Sequence, residues 1–190
     1  MLVLKQFRPG DEVAYYYAAA KTLALVSFIY FSVSAAVAHR FSALHAAGDR
    51  DGLSALVAGA VRWTFWPSLA GIVLLLALGK PMLRLFGPAF ESGYPLMFIL
   101  SIGLLARASV GPAERVLNML GQQRACARVY AAAFIMNLAG CLLLAPSFGA
   151  MGVAGSIASA IVAESVLLFL VAKRKLDLHL FIWKSPIPRD

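Results

Sequence analysis

Charge is scarce in this chain: only 14% of its 190 residues are Asp, Glu, Lys or Arg, whereas a soluble domain carries about 25%. So few charges exclude an ordinary soluble globular surface. Acidic residues are scarcer still, nine against 17 Lys and Arg, which leaves a net charge of +8. A nucleic-acid partner, one reading of such basicity, does not fit a chain with several apolar runs of membrane-spanning length. Cysteine is limited to Cys126 and Cys141, which would lie about 22 Å apart on one helix and cannot pair within it. His39 and His45 have no acidic or cysteine partner at ligand spacing, so no metal site is expected. The chain also lacks paired intramembrane carboxylates and Gly-rich phosphate loops, which argues against an enzyme and leaves no cofactor to expect.

Apolar length is what the chain has in abundance, with 61% hydrophobic residues. A span needs about 20 mostly apolar residues, and runs of that order cover about 14–38, 63–85, 94–115, 129–144 and 150–172. Lipid offers no water to backbone groups, so these runs predict helices, not strands. The expected fold is an all-α polytopic membrane helix bundle of about five transmembrane helices in a single domain. The first run contains SAAVAHR (34–40), an A-x-A pattern like a signal-peptidase site, but it is too long for a signal h-region and reads as a retained helix.

Lys and Arg favour the cytoplasmic side of short loops. With an outside start, segments 39–62, 116–128 and 173–190 hold Arg40, Arg50, Arg62, Arg124, Arg128, Lys173, Arg174, Lys175, Lys184 and Arg189, while the outer segments hold only Lys5, Arg8, Lys80 and Arg84. The C-terminal tail, 173–190, is thereby placed in the cytoplasm, and the basic excess reads as a topology signal in contact with anionic membrane lipids. Between the first two spans, Asp51 is a plausible N-cap and Leu53, Leu56, Val57, Ala60 and Val61 recur at helical spacing. They predict an interfacial connector helix over 51–62, with Trp63 and Trp66 as inner-surface anchors.

The stretch LLARASVGPAERVLNMLG (104–121) places charge in an apolar helix. Measured from Tyr94, Arg107 lies about 20 Å down, whereas Glu114 and Arg115 lie about 30 Å down, at the inner boundary, where they read as an interfacial pair or as part of the same path. A cation as deep as Arg107 costs about 2.5 to 3.5 kcal/mol on insertion scales unless it has a partner or a wet cavity. On a helical wheel Arg107, Gly111, Glu114 and Asn118 share one polar stripe, and Pro112 predicts a kink. Glu164, at similar depth in the last run, is the candidate partner for Arg107, while Gly152, Ser156 and Ala160 at four-residue spacing predict close helix packing. Lys21 is a third intramembrane ionisable group, and Asn137 reads as an interhelical hydrogen-bond partner.

The succession YYYAAAKTLALVSF, FSALHAAGDRDGLSALV, FWPSLAGIVLLLALGKPMLRLFGPAFESGYP, LNMLGQQR and PSFGAMGVAGSIASA resembles the C-terminal half of polysaccharide flippases of the multidrug/oligosaccharidyl-lipid/polysaccharide exporter superfamily, most of all bacterial O-antigen flippases. The resemblance covers nearly the whole chain. It implies a lobe of a two-lobed bundle that alternates access and moves a polyprenyl-diphosphate-linked oligosaccharide between leaflets of the bacterial inner membrane for surface polysaccharide synthesis. In that setting Arg107 and Lys21 would attract the diphosphate and Glu164 would couple H+ or Na+ movement to the swing, with Glu114, Arg115 and Asn118 along the path. The chain is shorter than such proteins, and MLVLKQF resembles the tail of a preceding helix. A missing N-terminal half or a second protomer is therefore an expected partner. A multidrug exporter of the same superfamily would favour acids for cationic drugs, and a non-transporting membrane fragment or subunit would need only the helix packing.

Overall fold

The computed structural model describes residues 6, 10–177, 180 and 182, and every regular element among them is helical. Lys5, Arg8, Lys184, Arg189 and most of MLVLKQF lie outside the described residues. Helix α1 (Gly10–Ala24) and helix α2 (Ser27–Ala46) follow one another across a short break at Leu25 and Val26. Gly48 then reverses the chain at φ +71°, and Asp49 caps α3 (Arg50–Ala77) by accepting a 2.8 Å hydrogen bond from the Gly52 N–H, satisfying a donor that the first turn cannot pair internally. A short helix α4 (Gly79–Arg84) and a 3-10 turn (Pro88–Gly93) lead to α5 (Tyr94–Val110), α6 (Ala113–Met119) and α7 (Gln123–Leu176).

Helix α7 is bent double. Gly149 takes φ 56° and ψ −137°, a conformation that a side chain resists, and the chain on its two sides runs antiparallel: Ser156 Oγ donates to the Asn137 carbonyl at 3.0 Å and lies 3.3 Å from Asn137 Oδ1. Residues 123–148 form a first arm and 150–176 a second. Glu12 of α1 reaches the turn, its carboxylate accepting from the Ala150 N–H at 3.3 Å. Gly152, Ser156 and Ala160 are buried along the second arm, as close helix packing requires.

Among the described residues four helical stretches are long and apolar enough to cross a membrane: Gly10–Ala46, Arg50–Ala77, Pro88–Val110 and Gln123–Leu176. Length and composition thus yield four where the apolar runs predict five, because the runs 129–144 and 150–172 belong to one helical stretch. The expected connector over 51–62 is not a separate element either: α3 runs unbroken from Arg50 to Ala77, since nothing between Leu53 and Trp63 breaks the helical ladder. At its other end α3 stops at Ala77, so the expected span 63–85 is a helix plus the separate α4. The expected tail is helical through Leu176, carrying Lys173, Arg174 and Lys175 in the last turn, before Asp177 closes the helix at φ 52°. Many large apolar side chains face outward, among them Trp63 (72% exposed), Phe28 (68%) and Leu143 (74%), the pattern of a bundle whose outer surface meets lipid or protein and not water.

The buried side chains separate into two apolar clusters. One, toward the Gly149 end, gathers Leu23, Ile72, Met97 and Val153. The other, toward the Gly121 end, gathers Phe41, Val57, Val116 and Leu168. Polar residues occupy the gap on each helix: Tyr30 falls between Ile29 and Val33, Thr64 and Ser68 between Ala60 and Ile72, Arg107 between Leu105 and Val110, and Glu164 between Ile157 and Leu168.

A candidate functional site around Arg107 and Glu164

Arg107 stands in the last turn of α5 and Glu164 in the second arm of α7. These two helices run in the same direction and pack closely, with Gly103 against Ala158, and about one turn further along α5 and nearly two along α7 the charges come together. Arg107 Nη2 donates to Glu164 Oε1 at 2.7 Å, with the side chains 39% and 10% exposed. Pairing removes the main objection to enclosing a guanidinium among apolar helices, because each charge replaces the water the other has lost.

Further polar groups belong to the same layer. Tyr130 of the first arm lies within electrostatic reach of Glu114, Glu164 and Tyr30. Tyr30 of α2 lies within electrostatic reach of Arg107, Glu114 and Arg115. Ser34 Oγ, one turn on, is enclosed beside Tyr30 without meeting hydrogen-bond geometry. Thr64 sidesteps the same problem by donating to the Ala60 carbonyl of its own helix at 2.7 Å. The layer is therefore assembled from α2, α3, α5, α6 and both arms of α7, none of which carries more than a few of its members.

Glu114 reaches this layer by a route other than the wheel stripe. Helix α5 does not kink at Gly111 but ends at Val110, and Gly111 takes φ 55° and ψ −144° before α6 begins at Ala113. A Cβ on Gly111 would also stand 2.8 Å from the Val61 Cα, so both the dihedral and the packing demand glycine there. The break resets the helical phase, so Arg107 and Asn118 no longer share a face by periodicity. Asn118 is instead at the end of α6, where its carbonyl accepts from Gln123 Nε2 at 2.9 Å. Arg115 is exposed.

Lys21 stays apart from this group. It is exposed on α1, its ammonium 5.3 Å from the Tyr17 ring centroid, and it lies two and a half turns of helix nearer the Gly149 end than Tyr30. Tyr30 and Tyr130 are members of the layer that no sequence motif marks. Their one signal is position: a tyrosine belongs at a membrane boundary, and one in mid-run must find a partner for its hydroxyl.

Two hollows flank the ion pair. One of about 40 Å³ adjoins Arg107, lined by Tyr30, Phe31, Ser68 and Leu104. Another of about 190 Å³ opens between the two arms of α7 beside Glu164, lined by Tyr130, Phe134, Asn137 and Ile161. No protein-family model matches the chain, and no curated protein or solved structure is significantly similar to it.

Proposed function

We propose that this chain is a membrane transporter of the flippase type, moving a polyprenyl-diphosphate-linked oligosaccharide across the bacterial inner membrane for surface polysaccharide synthesis. The observation that carries the reading is the Arg107–Glu164 pair, held at 2.7 Å in a polar layer between two apolar clusters and flanked by hollows. Packing alone has no use for such a layer, since apolar side chains of similar volume would serve stability as well or better. The resemblance of the chain's motifs to polysaccharide flippases supplies the cargo. Each arm of α7 crosses the bilayer in this reading, which gives five crossings and a cytoplasmic C-terminus in agreement with the Lys and Arg distribution.

The pair refines the roles of its members. While Glu164 holds Arg107, the two charges cancel and the guanidinium is not offered to cargo. Uptake of H+ or Na+ at Glu164 frees Arg107 for the diphosphate, and release of the cation draws the guanidinium back to the carboxylate, so cargo binding and ion movement alternate at one place. Lys21, nearer the Gly149 end, receives the diphosphate later along the path. The hollows beside the pair, about 40 and 190 Å³, are smaller than the roughly 300–1,000 Å³ of small-molecule sites. A passage for an oligosaccharide is then completed by a second copy of the chain or by a partner supplying another lobe.

The same volumes favour a second reading, a non-transporting membrane subunit in which the pair only fixes helix packing. Expression of the chain in a bacterium lacking its polysaccharide flippase separates the two. The transporter reading expects surface polysaccharide to return, and export per unit of membrane-inserted protein to be lost with Arg107→Gln. Export unaffected by Arg107→Gln removes that residue from the mechanism and leaves the packing role.

A further inference from the structure

A second charged concavity lies at the end of the bundle opposite Gly149. It has a volume of about 530 Å³ and is lined by His45 near the end of α2, Arg50 and Asp51 at the start of α3, and Arg174, Lys175 and Asp177 at the end of α7, over a floor that includes Leu53 and Leu120. Three permanent cations face two carboxylates, an excess of one positive charge, and all of these side chains are exposed. The first turn of α3 adds the positive end of a helix of 28 residues.

Depth identifies what such a site meets. From Ala77, beside the Gly149 end, α3 extends 28 residues, about 42 Å, which matches the roughly 40–45 Å of a bilayer with its head groups and exceeds the ~30 Å of hydrocarbon. The concavity therefore falls at head-group level on the side rich in Lys and Arg. Basic residues scattered along a membrane surface attract anionic lipid without selecting a position. Here three chain segments converge on one hollow with an apolar floor, which suits a phosphate above and the start of an acyl chain below.

We infer that this concavity binds the phosphate of an anionic phospholipid head group, with Arg50, Arg174 and Lys175 as the cations that hold it. The site is independent of the Arg107–Glu164 layer and of any cargo. It is tested on the purified full chain in mild detergent by measuring binding of phosphatidylglycerol and phosphatidylcholine with native mass spectrometry. One phosphatidylglycerol should be retained in preference to phosphatidylcholine. Replacing Arg50, Arg174 and Lys175 together by Gln should weaken it on the order of a hundredfold, at roughly fivefold per cation. Asp177→Asn, which removes a facing negative charge at a left-handed position that Asn tolerates, should tighten it several-fold. Lys80→Gln with Arg84→Gln, at the opposite end, should leave it unchanged. Equal retention of the two lipids, or equal loss from the Lys80 and Arg84 variant, overturns the site. Inorganic pyrophosphate bound as tightly as phosphatidylglycerol overturns the lipid as its source. Should the triple variant lose its helical circular dichroism, the Asp177→Asn arm decides alone: absence of tightening overturns the proposal.

Discussion

Among the described residues are two Arg–Glu pairs that differ in almost everything but chemistry. Arg84 and Glu91 are seven residues apart in the connection between α4 and α5, and their side chains are 67% and 31% exposed. Arg107 and Glu164 are 57 residues apart on two packed helices, 39% and 10% exposed. The first pair closes a local turn, and solvent or head groups can replace either member. The second joins elements that the chain brings together only through its fold, in a layer where neither charge has a substitute. Exposure and sequence separation, not the length of the contact, decide what such a pair is worth.

The largest effect should come from breaking the inner pair on one side. Glu164→Ala leaves the Arg107 guanidinium unpaired and should cost about 3 to 5 kcal/mol, read as a large drop in thermal midpoint of the detergent-solubilised protein or as failure to accumulate in the membrane. Tyr130→Phe removes a hydroxyl within electrostatic reach of Glu114 and Glu164 and should cost about 1 kcal/mol by the same measurement. Removing both charges, with Arg107→Leu and Glu164→Leu, should bring stability back to within about 1 kcal/mol of the parent, and a double-mutant cycle reads the coupling directly. If the double variant is as damaged as either single one, the two residues do not act as a pair. At the small end, Arg84→Ala should cost about 0.2 to 1 kcal/mol, a difference that shrinks further in 1 M salt.

The inner pair is legible in the sequence because depth is a linear quantity: Arg107 and Glu164 sit at similar distances from the starts of two helices that run the same way. Azimuth is not legible. The stripe through Arg107, Gly111, Glu114 and Asn118 assumes one unbroken helix, and the left-handed dihedral at Gly111 cancels that assumption, since Gly followed by Pro fits a kink or a full stop equally well by composition. Glu114 comes within reach of Tyr30 and of Tyr130, the latter from an arm of α7 that no local pattern could place beside it. The connector over 51–62 fails for the opposite reason. The apolar recurrence marks a helix, but its N-cap is Asp49 and not Asp51, which lies in the first turn, and a change from amphipathic to uniformly apolar residues at Trp63 alters the surroundings of a helix without ending it. The gap between the runs 129–144 and 150–172 suggests a loop, whereas helix continues to within one residue of Gly149 on both sides.

The hydrogen bond from Ala150 N–H to the Glu12 carboxylate spans 138 residues, and it ties the first described helix to the last. At ribosomal speeds of about 5 to 20 residues per second, α1 stands in place for on the order of ten seconds before the residue it will clasp has been made. The clasp at the Gly149 turn thus closes only once residues 12 to 150 have all been made, and the Arg107–Glu164 pair later still.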